Sequence, residues 1–341
     1  MKLLAIILLI SLSALAIEPM EYIKKPDIRT ETQVIGDKIF FRFGFKDLKG
    51  SYQEWSWSDD LKSLLGETRS FGIRIKDPAK MEFYNSELPG SMFKNHPQIG
   101  VIPDYSKLVS HYYKSVTPLY KIWKQYITEN GLGQRESVEL LLRFFQDFPY
   151  GVPPDVIEDK YISGLFVPPL SLQNGWADCD SKSLLMATVL AHDESFRDKM
   201  AMILVPGHAF LGFEFIPQVY DEKYKFQNRT FIVAEPTGLS RTPFGRKNSP
   251  YTRLIGVEPI IVNAPLQVAS SPLDSGLAPL VESDCPDNGL LIDIFSDYEN
   301  ARIQQCVIKV NGEYVKHGPL LKYGPSGKPE SKVIYNKGSS L

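Results

Sequence analysis

A lone cysteine at the start of a helical pattern is the tightest constraint on this chain. Cys179 lies in Gly175-Trp-Ala-Asp-Cys-Asp-Ser-Lys-Ser-Leu-Leu, where a glycine turn ends in a thiol just as helix-forming residues begin. Between Asp180 and Ala191 there is no Gly or Pro, and Leu184, Leu185, Thr188 and Val189 recur at helical spacing. The pattern therefore predicts a helix with Cys179 in its first turn. Unpaired backbone N–H groups at that end favour a thiolate. A helix N-terminus or a neighbouring imidazolium brings a cysteine from about 8.5 to roughly 3.5–7.5. The sequence thus predicts a lowered thiol pKa and asks for a histidine nearby.

The remaining composition narrows the class. The chain has 341 residues, 43% hydrophobic and 23% charged, enough for a buried core and roughly two domains. A net charge of −2 leaves no basic footprint, which argues against nucleic acid and against an anionic membrane surface as partners. Met-Lys followed by an apolar run from Leu3 to Ile17 and the small-residue end Ala14-Leu15-Ala16 reads as a secretory signal over residues 1–16. That run is shorter than a spanning helix, so no stable membrane span is expected after cleavage. The expected location is periplasmic or secreted.

His96, His111, His192, His208 and His317 are scattered, and there is no Cys-x-x-Cys, so neither a metal nor a cofactor is expected. Residues 284–289 faintly resemble a calcium loop, but Pro286 occupies its third ligand position. In an exported chain Cys285 and Cys306 are expected to pair, leaving Cys179 free.

Strand patterns appear at Lys38 to Phe45, around Trp55 and Trp57, and at Phe71 to Lys76. The two tryptophans read as core packing rather than a sugar-stacking face. A Pro, Gly and Asn-rich segment then precedes helical spacing from Ser106 to Tyr126, which Pro118 should kink or divide. A second helix runs through Ser137, Leu141 and Phe145 until Pro149 stops it. After the cysteine helix come strands at Met200 to Val205, His208 to Phe215 and Thr230 to Ala234, with another at Gln305 to Val310. The order predicts an α+β fold. Its expected parts are a β-rich N-terminal domain over 17–104, a core over 105–265 and a C-terminal extension over 266–341.

His208 opens one strand, in Pro-Gly-His-Ala, and Glu235 closes the next, in Glu-Pro-Thr. Neighbouring antiparallel strands can set them side by side, so that the carboxylate orients the imidazole and the imidazole serves the thiol. In this order and context the chain resembles the transglutaminase-like superfamily, and within it the exported bacterial cysteine-hydrolase branch. The resemblance covers roughly Tyr120 to Gly238. It rests on Phe-Phe-Gln-Asp-Phe-Pro-Tyr150, Pro-Pro-Leu-Ser-Leu before the cysteine, Asp-Cys-Asp at 178–180, Gly-His-Ala at 207–209 and Glu-Pro-Thr at 235–237. The sequence departs from the family pattern at Ala177, where glycine is usual, and at Glu235, where Asp is commoner.

The resemblance implies a papain-like core with Cys179 as nucleophile, His208 as general base and Glu235 as third member. The Cys179 backbone N–H and Gln146, at the end of the preceding helix, are the candidate oxyanion donors. The expected activity is thiol-dependent cleavage of a peptide or carboxamide bond in a peptide, protein or cell-wall peptide. Two other readings stand beside it. One is a transglutaminase joining glutamine to an amine, and the other is a binding or scaffolding module that keeps the shell without using its cysteine.

Overall fold

The computed structural model describes residues 17–68, 71–77, 82–83, 92–238, 240–247 and 253–262, and beyond these 280, 284–286, 289–296, 301–310, 313–323, 329–336 and 339–340. The expected signal segment lies outside the described residues. The chain is mixed α+β with several antiparallel sheets. Its contacts divide it into two units, Met1–Asn263 and Ala264–Leu341.

The first unit is built around one helix. Six α-helices lie among its described residues: α1 Leu61–Thr68, α2 Tyr105–His111, α3 Thr117–Glu129, α4 Gln134–Asp147, α5 Pro168–Asn174 and α6 Cys179–Leu190. Every residue of α6 from Ser181 to Leu190 is buried, polar ones included. A helix buried all round sits at the centre of its layer, and α6 touches α2, α3, α4 and α5 as well as the sheet. That sheet has five antiparallel strands in the order Lys223–Phe226, Arg229–Ala234, His208–Phe213, Met200–Val205 and Gly256–Ile260. Ala201, Ile203, Val205, Phe210, Phe231, Val233 and Val257 form an apolar cluster on it. Met200–Val205 and His208–Phe213 are joined by Pro206 and Gly207, the latter left-handed at φ 69°, which pairs Val205 with His208 and fixes where the histidine stands.

The N-terminal strands Thr30–Ile35, Lys38–Lys46 and Tyr52–Asp60 form a three-stranded sheet. Alternation along Lys38–Lys46 sends Ile39, Phe41, Phe43 and Phe45 inward. Phe43 and Phe45 meet Phe144 of α4 edge-on, and Trp55 stacks on Phe144 at 5.0 Å. These strands, expected as a domain ending near residue 104, therefore share a core with α4 and belong to the same unit. Trp55 is a core residue, and the half-buried Trp57 lies against Phe41 and Phe43.

Pro118 does not kink a helix. It stands at the start of α3, where its missing N–H costs nothing, and a 3₁₀ turn over Lys114–Val116 separates α3 from α2. The second unit holds a five-stranded antiparallel meander from Leu290–Ser296 to Ser339–Ser340. Leu280, Leu321 and Tyr323 form its described apolar cluster, and Cys285 and Cys306 are joined in a disulfide.

Candidate active site

The local sequence explains where Cys179 sits. Pro168 and Pro169 open α5, and Gly175 closes it in the left-handed conformation at φ 71°. Ala177, where the resemblance led us to expect glycine, is not left-handed, so its methyl group causes no backbone strain there. The segment Pro149 to Gly151 braces it: the Ala177 N–H donates to the Pro149 carbonyl and the Gly151 N–H donates to the Ala177 carbonyl, each at 3.2 Å. Asp178 then caps α6, its side chain accepting from the Ser181 N–H at 3.3 Å. Cys179 is the first residue of α6.

His208 lies across from it at the start of its strand. Its Nε2 meets Glu235 Oε2 at 2.8 Å, and Glu235 is 2% exposed. The other Glu235 oxygen accepts from the Thr237 N–H at 3.1 Å, which holds the carboxylate from both ends. The Ala209 N–H, next in chain to the histidine, donates to the Cys179 sulfur. Cys179, His208 and Glu235 are thus brought to one place.

Gln146 is placed differently from expectation. Its Nε2 donates to the Glu235 carbonyl at 2.8 Å and to the Thr242 carbonyl at 2.7 Å, so both amide hydrogens are engaged with backbone. It stands behind Glu235, with no hydrogen left for an oxyanion. The Cys179 backbone N–H, free of an intrahelical partner at the first turn of α6, remains as a donor.

The electrostatics of the thiol also depart from expectation. Burial comes first, and Asp180 and Asp178 add to it, together pushing the Cys179 thiol well above its ordinary range. The helix N-terminus favours a thiolate, but two carboxyls beside the sulfur outweigh it. Burial raises both carboxyls, Asp180 the more, and each acts on the other. The Cys179 sulfur and one oxygen from each acid lie within 4.8 Å of one another. Since the acids are occupied with each other and with the Ser181 N–H, we assign no metal to them.

Three further side chains close on the site without any clear mark in the sequence. Tyr105, at the start of α2, is 4% exposed. Burial, and after it the neighbouring Asp180, hold its phenol well above the ordinary range. Tyr150 faces Cys179 and Asp178 from the bracing segment. Lys182, one turn into α6, is 1% exposed. Its Nζ donates to the Phe145 carbonyl at 3.0 Å and the Phe148 carbonyl at 2.6 Å, and burial pulls its pKa down to about 7. The remaining buried histidine of the core, His192, donates from Nε2 to the Tyr113 carbonyl at 2.6 Å, and burial pulls it down to about 4. It is a neutral packing residue.

Compared with known proteins, the chain matches no family model, no curated protein and no solved structure.

Proposed function

We propose that this protein is an exported thiol hydrolase of transglutaminase-like, papain-like type, cleaving a peptide or carboxamide bond through a Cys179 acyl-enzyme. The observation that carries the reading is the 2.8 Å His208–Glu235 pair on the strand whose Ala209 N–H reaches the Cys179 sulfur. With Nε2 engaged by Glu235, Nδ1 is the nitrogen we assign to the thiol.

Because the acids disfavour a resting thiolate, proton transfer and attack go together. His208 takes the thiol proton as sulfur bonds to the carbonyl carbon, and the Cys179 N–H receives the developing oxyanion. Collapse breaks the C–N bond, and His208 returns its proton to the leaving amine. Water, deprotonated by His208, then attacks the thioester and releases the carboxylate and the thiol. An amine in place of water would give transamidation from the same intermediate.

Export is supported by the Cys285–Cys306 disulfide, which belongs to oxidising compartments. No helix among the described residues is long and apolar enough to cross a membrane. The test is to incubate the protein with a library of peptides and carboxamides and to seek the thioester by mass spectrometry. Turnover and adduct should vanish in Cys179→Ala, while activity that survives would overturn the mechanism. The non-catalytic module is the second reading, favoured by the raised thiol, and it stands if no substrate ever yields an adduct.

A further inference from the structure

Pro149 stops α4, and it also takes a donor from that helix. In a continuing helix the N–H of residue 149 would donate to the Phe145 carbonyl, but proline has none. The donor comes instead from another helix. Lys182 Nζ donates to the Phe145 carbonyl at 3.0 Å and to the Phe148 carbonyl at 2.6 Å, and it lies 5.9 Å from the centre of the Tyr150 ring. The carboxylates that act on this buried amine are bonded elsewhere: Asp178 to the Ser181 N–H, Asp147 to Lys25 and Arg241, and Glu235 to His208. An apolar side chain would fill the slot without burying an amine, but it would leave both carbonyls bare.

The end of α4 that Lys182 grips carries supports for both halves of the site. Between the two gripped carbonyls stands Gln146, whose amide holds the Glu235 and Thr242 carbonyls. Glu235 in turn bonds His208. Just past them, Pro149 and Gly151 are hydrogen-bonded to Ala177, shortly before Cys179. Lys182 itself stands one turn after Cys179 along α6. The amine therefore ties the helix of the nucleophile to the element that supports the histidine's carboxylate. Without its donor, the last turn of α4 would fray toward other partners, and Gln146 and Pro149 would move with it.

We infer that Lys182 is a positioning residue: its amine staples the last turn of α4 to α6 and so sets how Cys179 stands against the His208–Glu235 pair. The inference rests on the thiol-hydrolase reading for what that placement serves, and on the hydrogen bonds alone for the staple. Lys182 acts through Gln146 and the Pro149 to Gly151 brace, not on a reacting atom. Its loss should therefore lower kcat by about 10–100-fold and leave KM within about threefold, because a misplaced nucleophile weakens attack more than binding.

The first test needs no substrate. Amide hydrogen exchange and the imidazole N–H signal of His208 are recorded by NMR on the full chain, in wild type, Lys182→Met and Leu190→Ala. Methionine keeps most of the lysine stem and removes the donors. Leu190, buried at the far end of α6, is the control for lost stability alone. In Lys182→Met the Gly151 and Ala177 amides should exchange about tenfold or more faster relative to the amides of Met200–Val205, and the His208 signal should shift or broaden. In Leu190→Ala the relative rate should stay within about threefold of wild type and the signal should stay in place. A folded Lys182→Met whose Gly151 and Ala177 amides keep their wild-type protection relative to that strand overturns the inference. So does a loosened brace with an unmoved His208 signal. Should Lys182→Met not fold, Lys182→Gln, whose shorter side chain sets its amide back from the carbonyls, is read in the same way. Turnover separates the two readings: a wild type that cleaves nothing overturns the hydrolase reading and leaves the exchange result standing, whereas wild-type kcat in a folded Lys182→Met overturns the positioning role.

Discussion

Gln146 supports Glu235 from behind, its amide donating at 2.8 Å to the carbonyl of the residue whose side chain orients His208. Truncating it would leave the Glu235 and Thr242 carbonyls buried without their donor. Gln146→Ala is expected to lower stability by about 2–4 kcal/mol and to slow turnover through a misoriented imidazole. An oxyanion donor would behave otherwise, losing ~10²–10³ in kcat with stability unchanged. Thermal denaturation beside steady-state kinetics separates the two outcomes.

Glu235→Gln should keep the fold and lose activity. The amide matches the carboxylate in size but cannot stabilise the imidazolium, and it can offer an N–H where an acceptor is needed. In a comparable triad such a change costs ~10⁴ in kcat. Measured kcat within about tenfold of wild type would argue that the pair is structural.

The thiol should label slowly with iodoacetamide at neutral pH, the rate rising only above the ordinary thiol range. Burial, Asp180 and Asp178 all raise the pKa of Cys179, so the thiolate fraction at a given pH is smaller than for a free cysteine. Asp180→Asn should move the profile toward lower pH. Fast labelling at pH 6 that is lost in His208→Ala would instead establish a resting thiolate–imidazolium pair.

Lys182 gives stability a slope in alkaline solution. Its folded pKa of about 7 lies below the ordinary 10.5, so between those values the unfolded chain binds more protons and stability rises with pH. Below about 7 the charged amine is buried at full cost. In Lys182→Met the slope disappears, so the advantage of wild type over the variant should grow by on the order of a few kcal/mol from pH 7 to pH 10. Denaturant titrations at the two values check it, and a constant difference would show that the amine is not titrating.

Reducing the Cys285–Cys306 bond should destabilise the second unit by about 3 kcal/mol, judged from the 21-residue separation it closes. Labelling of Cys179 in the first unit should be unchanged. Limited proteolysis with and without reductant would report the difference.

Much of the site's skeleton was readable because it is local. Glycine, proline and the apolar spacing marked the start of α6 and the stop of α4 at Pro149, and the Pro206-Gly207 turn fixed the strand that carries His208. What escaped were long-range polar contacts. A lysine at position 182 reads as solvated surface, and nothing near it announces carbonyls 34 and 37 residues away. Gln146 looked like a free amide because its partners lie 89 and 96 residues downstream. The two aspartates were visible as flanks of the cysteine, but their raising of the thiol depends on burial, which no spacing encodes.

Ile17 N–H donates to Asn174 Oδ1 at 3.1 Å, and Tyr22–Ile23 pairs with Tyr150–Gly151, the same short strand that braces Ala177. Lys25 then anchors on Asp147, a carboxylate also gripped by Arg241. For anyone engineering this protein, the stretch from Ile17 to Lys25 is therefore the wrong handle. A purification tag or fluorescent reporter inserted at Ile17 would emerge beside the turn that leads into the cysteine, crowding the one place where a reporter does most harm.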